Sequence, residues 1–473
     1  MGRTTVVPVL VCAALLSAVP ISAAAPGDSG ATPTRPEPAP TDLATAVRRD
    51  LHIDMQEYLA RAATAQRLAA FEKVARAAYP MVFAGVRMDG ARALVALSDG
   101  TSLEAATKAV QEAGFEVIRV GTSVAGLQQR RGAIRRWIGT QPHEAAQTFH
   151  GDAVDIGRNT VVLYTSGSTR PPAELGAVEL VVVDPPRTAP PTDDPEVPIT
   201  IAAPGEPYLG GQPFRIAFDA TRFAKCSLGF NAVDADGHDV AITAGHCDPN
   251  NLVDPAAKTA EPHKIYDYSE DGLGDELGYF ASSTFGPHDY SILRINTDQA
   301  ARFRNNRVIG GPAEQATPSP AAPAGGGSAA AADRLASGSS GGLPAFSAAL
   351  SAAAAAETIA IDGVAVPVTG MPACKSGAIT GYTCGTVDLV DQTFEEGGLP
   401  GTDRKVTVEG FFTVTTCSVQ GDSGGSVLSG TKALGLISGG TSKNHQCVPS
   451  DILTSQPIDT VLKENPGLAL RTR

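Results

Sequence analysis

Hydrophobic and polar positions follow two different rhythms along this chain. Residues 41 to 79 mix charged and apolar side chains at helical spacing, contain no glycine and stop at Pro80, which predicts one long helix. Phe83 to Met88 and Ala91 to Leu97, on either side of Asp89-Gly90, predict a hairpin. Thr101 and Glu104 form a capping-box pattern ahead of a helix that Gly114 should end. Phe115 to Val120 reads as a strand. A basic helix with Arg130, Arg131, Arg135 and Arg136 follows, then a short strand over Val161 to Tyr164. Residues 41 to about 166 are thus expected to form a small α+β unit, and it holds no cysteine.

The rhythm then breaks. Pro171 to Pro207 is rich in Pro, Thr and acidic residues, the composition of an exposed and easily cut linker. Beyond Leu209 come short β-like runs separated by turns, the pattern of an all-β barrel pair. From about Gly311 to Glu357 the chain is almost wholly Ala, Gly, Ser and Pro. It reads as a low-complexity surface insertion, with a helical piece around Ala348 to Ala356.

Composition supports this division. A chain of 473 residues has room for two or three domains. Aromatics are only 5% while Gly numbers 50 and Pro 35, which suits a turn-rich β protein. The net charge of −13 comes without a basic face, so nucleic acid is not an expected partner. At the N-terminus, Arg3, the apolar run from Val6 to Val19 and the small residues Ser22, Ala23 and Ala24 read as a signal peptide over residues 1–24. No later run reaches about 18 uncharged apolar residues, so the expected product is secreted, extracellular and without membrane attachment.

Cys12 would leave with the signal. Six cysteines remain: Cys226, Cys247, Cys374, Cys384, Cys417 and Cys447. An even set in an exported chain argues for disulfides, and the absence of CxxC spacing argues against zinc. Neither a metal nor another cofactor is expected.

Two segments carry chemistry. Thr243-Ala244-Gly245-His246-Cys247 follows the apolar run Val240 to Ile242, and Gly421-Asp422-Ser423-Gly424-Gly425-Ser426 lies far downstream. A serine hydroxyl needs a histidine to take its proton, a carboxylate to orient that histidine, and backbone donors for the oxyanion. Glycines around Ser423 let the backbone turn its N–H groups to one point. The same residues match G-x-S-x-G, but the α/β-hydrolase order requires an acid and then a histidine after the serine. Only His445 follows Ser423, with no Asp or Glu between them, so that reading fails. For the order His, Asp, Ser, the choice of acid is Asp289, at the head of the strand-like Asp289-Tyr290-Ser291-Ile292-Leu293-Arg294-Ile295. Asp248, Asp254, Asp267, Asp271, Asp275 and Asp298 read as surface or turn residues, and His288 as an exposed neighbour.

Leu209 to Leu468 resembles the bacterial streptogrisin and α-lytic protease family. The likeness runs through Lys225-Cys226-Ser227-Leu228-Gly229-Phe230, the Thr-Ala-Gly-His-Cys segment and the Asp289 strand. It continues through Cys374-Lys375-Ser376-Gly377, Thr380 to Thr386, the Gly-Asp-Ser-Gly-Gly segment, Leu434 to Gly440 and Gln456-Pro457. The preceding α+β unit resembles that family's pro-region.

The resemblance implies two six-stranded antiparallel barrels of chymotrypsin-like type behind an α+β pro-region. His246 would be the general base, Asp289 its orienter and Ser423 the nucleophile. The amides of Gly421 and Ser423 would form the oxyanion hole, and Ser438, Gly439 and Gly440 would pair with the substrate backbone. Asp422 is held by an internal cation in this family, and Lys375 stands where Arg is common. The expected layout is a pro-region over residues 25–170, a processing region over 171–208 with cleavage near Tyr208-Leu209, and a protease domain over 209–473. The expected pairs are Cys226–Cys247, Cys374–Cys384 and Cys417–Cys447.

For specificity, Ser418, Gln420, Ile437 and Ser438 to Gly440 would wall the pocket. The neighbourhood about six residues before Ser423, Cys417-Ser418-Val419-Gln420, holds no acid, so medium or large apolar residues before the scissile bond are expected, with Asp451 as the one group able to attract a cation. Peptide substrates and the chain's own pro-region are the expected partners of a monomer. The competing reading is an inactive, protease-like binding protein of the cell envelope.

Overall fold

The computed structural model describes residues 41–183, 205–217, 223–253, 255–269, 272–311, 357–396, 405–442 and 447–472. The expected signal peptide, most of the Pro-rich linker, the interior of the 311–357 insertion, Asp254, Asp271 and His445 lie outside the described residues.

The helix expected over 41–79 is two helices, Thr41–Leu51 and Met55–Ala78. His52 takes a φ of 57°, which ends the first. Asp54 then caps the second by accepting from the Glu57 amide at 2.8 Å. The apolar spacing runs on through the break, so periodicity hides it. Strands Phe83–Asp89 and Arg92–Leu97 form the hairpin, and Glu116–Arg119 joins its edge in parallel. The capping box at Thr101 does not form. Helix Leu103–Glu112 starts from Ser102 without a side-chain cap.

Three more strands follow helix Val124–Ile138: Phe149–Asp155, Thr160–Thr165 and Val178–Val182. The last lies inside the stretch read as linker. Its Val-Glu-Leu-Val-Val sequence suits a strand, but proline-rich flanks dominate the composition around it.

In the next half, strands Pro213–Ala217 to Asp289–Ile295 form a sheet whose opposite ends meet. Phe223–Ser227 pairs with Pro213–Ala217 at one end of the order, and Phe230–Val233 pairs with Asp239–Thr243 near the other, where the two-residue strand Ala469–Leu470 lies outside it. Only Leu228 and Gly229 separate those two segments, so one bent strand closes the sheet into a barrel. A side chain at the bend would strike Leu436 Cδ2 at 2.4 Å, which accounts for Gly229. Phe214, Ile216, Ala241, Leu277, Leu293 and Phe303 fill the interior.

The second barrel takes six strands in the spatial order Gly381–Thr386, Pro372–Gly377, Ser426–Ser429, Lys432–Gly440, Leu453–Pro457 and Val406–Val414. A bridge between Val387 and Val414 joins first to last, and the Thr415 amide donates to Thr386 O at 2.9 Å. Beyond Val406–Val414 the sheet continues through Gln392–Glu396 into Phe149–Asp155 of the N-terminal unit.

That unit and the second barrel share hydrophobic cores. Leu68, Val82, Phe83 and Val86 pack in one cluster with Val368, Met371, Phe412, Val427 and Leu434. Val47 and Tyr58 pack in another with Val308, Ile361, Tyr382, Leu428 and Leu436. A buried ionic clasp adds to this. Arg131 contacts Asp152 and donates to Thr393 Oγ1 at 3.0 Å, and Arg135 donates to Asp152 Oδ2 at 2.7 Å.

Two acids read as surface residues are buried. Asp267 pairs with Arg302 at 2.5 Å, and Asp248 caps helix Pro249–Leu252 while accepting from the Ser283 hydroxyl. Their partners come from distant segments, which local polarity does not reveal. Tyr208 also departs from expectation. It is 1% exposed, stacks on Phe303 at 5.0 Å, donates its hydroxyl to Pro213 O at 2.5 Å and its amide to Arg302 O at 2.8 Å. A protease needs exposed, extended chain, so Tyr208-Leu209 is a poor cleavage point in the folded protein.

Candidate active site

Strand Asp239–Thr243 delivers the chain to a tight turn, Gly245–Cys247, between the barrels. A Cβ on Gly245 would sit 1.7 Å from Thr284 O, so only glycine allows the turn to press against that neighbouring strand. Cys247 is bonded to Cys226 on the bent strand and anchors the turn from its other side.

His246, on this turn, is buried. Asp289, fully buried at the head of its strand, is gripped from several directions. Its amide donates to Gln456 Oε1 at 2.9 Å. Its Oδ1 accepts from the His246 amide at 2.8 Å, and its Oδ2 lies 2.8 Å from His246 Nδ1. The Ser438 hydroxyl also donates to Oδ2, at 2.5 Å. A carboxylate facing Nδ1 places the proton there and leaves Nε2 as the basic nitrogen. Burial would lower the pKa of His246. The charge and hydrogen bond of Asp289 outweigh it, Glu396 adds its own field, and the net shift is upward.

Ser423 is part-exposed on a turn between Gly421 at φ 95° and Gly424 at φ 82°. A Cβ on Gly424 would lie 1.9 Å from Thr243 Oγ1, so this turn packs directly on the strand that leads to His246. Ser423 O accepts from the Ser227 amide at 2.7 Å. Among the described residues, Ser423 Oγ makes no hydrogen bond, and the amides of Gly421 and Ser423 have no acceptor. A serine hydroxyl beside two unengaged amide donors is the kind of arrangement that oxyanion stabilisation requires.

The remaining expected residues fall in three places. Lys432–Gly440 pairs with Ser426–Ser429 only as far as Leu436, whereas its pairing with Leu453–Pro457 reaches Gly440. The backbone of Ser438 to Gly440 is therefore paired within the sheet on one side. Ser418 is buried, its carbonyl accepting from Ser442 Oγ at 2.7 Å, and Gln420 is part-exposed. Ile437 is fully buried in the larger core, with Cδ1 3.0 Å from the Cβ position of Gly425. Asp451 is also buried, accepting from the Val448 amide at 2.8 Å and the Thr441 hydroxyl at 3.3 Å. It organises the turn closed by the Cys417–Cys447 disulfide. His288 is half-buried and meets Glu464 at 2.7 Å. Sequence reasoning missed the hydroxyl of Ser438, the side chain of Gln456 and the charge of Glu396, all brought in from distant strands.

No family model matches the chain. It is 24% identical over 464 residues to Streptogrisin-C of Streptomyces griseus, covering 97% of this chain and 81% of that protein. It is 27% identical over 217 residues to Serine protease 2 of Streptomyces fradiae, covering 46% of this chain and 87% of that one. Among solved structures, Nocardiopsis protease aligns with a TM-score of 0.36 and 22% identity, over 56% of this chain and 99% of that chain.

The chain is a chymotrypsin-like serine endopeptidase. Within that class it is similar to Streptogrisin-C and to the serine proteases of Streptomyces fradiae.

Proposed function

We propose that the protein is exported as a pro-enzyme and cleaves peptide bonds through His246, Asp289 and Ser423. The observation that carries this reading is the grip of Asp289 on both the amide and the Nδ1 of His246, beside a serine turn packed against the same strand. His246 Nε2 would take the Ser423 proton as Oγ attacks the substrate carbonyl. The oxyanion would settle on the Gly421 and Ser423 amides. Collapse of that adduct passes the proton from Nε2 to the leaving amine and leaves an acyl-enzyme, and water then repeats the sequence to release the acid.

The half-paired Ser438 to Gly440 backbone supports substrate binding as an added strand. The pocket reading remains apolar. Asp451 is occupied by its own turn, which favours Leu, Met, Phe or Tyr over Lys or Arg before the scissile bond. The signal-like N-terminus and three disulfides support export. The sheet continued by Phe149–Asp155 supports the N-terminal unit as a folding partner of the second barrel. Fluorophosphonate labelling tests the reading: the wild type should react at Ser423 and Ser423→Ala should not. Labelling of neither would favour a binding protein.

A further inference from the structure

Asp422, the middle residue of the oxyanion turn, is fully buried and so is Lys375. The two charges do not touch directly: Nζ stands 3.7 Å from Asp422 Oδ2, beyond hydrogen-bond range. Thr380 fills the space between them. Its hydroxyl donates to Asp422 Oδ2 at 2.5 Å and accepts from Lys375 Nζ, while Nζ also donates to Gly381 O at 2.9 Å. A hydroxyl has one proton, so giving it to Asp422 leaves only lone pairs for the ammonium. The direction of the chain is therefore fixed from lysine to threonine to aspartate.

The same short loop holds Asp422 by its backbone. Ile379 N and Thr380 N donate to Oδ1 at 2.8 and 3.0 Å, and Val419 N donates to Oδ2 at 3.1 Å. Ile379 also crowds the oxyanion glycine, with Cγ1 2.7 Å from the Cβ position of Gly421. The loop thus bears on both Gly421 and Asp422, the two residues that aim the donors beside Ser423.

We propose that Thr380 is a positioning residue for the oxyanion turn, relaying the charge of Lys375 to Asp422, and that the turn loses its catalytic shape when Lys375 gives up its proton. Loss of that charge leaves a buried carboxylate without a counter-ion, which is strongly unfavourable. Arginine at the same place would keep its charge at any working pH, so lysine introduces an alkaline limit. The charged groups around Lys375 are few. Asp422 faces it from the catalytic turn, and Arg49 and Asp50 face it from helix Thr41–Leu51. Arg49 and Asp50 oppose each other, and their loss with the N-terminal unit would leave Asp422 as the main partner. Burial pulls Lys375 down, Asp422 pushes it up, and the net direction is below the ordinary lysine value. The nearby phenols of Tyr58 and Tyr382 are raised by burial and stay neutral.

The inference rests on the serine-protease reading above. The test measures kcat and KM of the active secreted enzyme on an uncharged peptide anilide from pH 7 to 11, with near-UV circular dichroism at each pH. Wild type should lose kcat, with its fold intact, along a limb below about pH 10.4, the ordinary lysine value. In Lys375→Arg that limb should move out by at least about one pH unit. Thr380→Val should lower kcat about tenfold to a hundredfold with little change in KM, and Thr380→Ser should restore it. An alkaline limb unmoved in Lys375→Arg overturns the proposal, as does wild-type kcat in Thr380→Val. If Thr380→Val does not fold, the Lys375→Arg profile decides. A wild type without peptidase activity would instead refute the protease reading.

Discussion

Ser438 Oγ donates to the same Asp289 oxygen that faces His246 Nδ1, at 2.5 Å against 2.8 Å. One carboxylate oxygen thus serves both the His246 imidazole and the Ser438 hydroxyl. Ser438→Ala removes one of its donors and makes the carboxylate more basic. The expected result is a fall in kcat/KM of about tenfold, with the acid limb of the pH profile moved upward. Asp289→Asn should cost about 10⁴ in kcat by favouring the wrong imidazole tautomer. Steady-state kinetics on one anilide substrate checks both, and near-normal Asp289→Asn activity would assign the role to another acid.

The proposed mechanism requires neutral His246, and its folded pKa is raised. The acid limb of kcat/KM should therefore lie above about 6.5, the ordinary histidine value. Glu396 contributes to that rise, so Glu396→Gln should shift the limb downward. A limb that does not move would mean that solvent screens this carboxylate from the imidazole.

The clasp of Arg131 on Asp152 is buried on both sides. Removing Arg131 leaves Asp152 with Arg135 as its remaining partner, so the cost is that of lost charged hydrogen bonds, about 1.5–3 kcal/mol. Arg131→Ala should lower the melting temperature of the full chain. It should also speed hydrogen exchange in Gln392–Glu396, the strand it reaches through Thr393. Unchanged exchange there would confine the clasp to the N-terminal unit.

His150 is buried on Phe149–Asp155, with Nε2 2.8 Å from Ser166 Oγ and no partner for Nδ1 among the described residues. Burial lowers its pKa, nearby Lys405 lowers it further, and Glu395 opposes them. The folded state thus disfavours the proton. Its contribution to stability is present above the unfolded value of about 6.5 and is lost as pH falls towards the folded one. Exchange protection across Phe149–Asp155 and Gln392–Glu396 should fade below that pH in wild type and persist in His150→Gln. Equal fading in both would point to the carboxylates instead.

The parts of this protein legible in its sequence were the local ones. His246 lies in a segment whose apolar strand, glycine and cysteine all neighbour it, and the glycines at 421, 424 and 425 mark a turn on sight. The illegible parts are contacts between distant segments. Gln456 is 167 residues from Asp289, and Ser438 is 149 away. Asp248 and Asp267 look like loop residues until Ser283 and Arg302 arrive beside them. At His52 the apolar spacing continued while the backbone turned, because a break in φ need not interrupt the pattern of side chains. The burial of Tyr208 is equally hidden, because its stacking partner Phe303 lies far along the chain.

The cores that the N-terminal unit shares with the second barrel separate two events that are easily taken for one. A cut between Val183 and Gly205 breaks a single peptide bond and disturbs none of the packing of Leu68, Phe83 or Tyr58. The nicked product is still a two-chain complex, and its halves will migrate together until denatured. Under the proposed pro-enzyme reading, activation would follow the clock of dissociation or of digestion of the smaller chain, not the moment of cleavage.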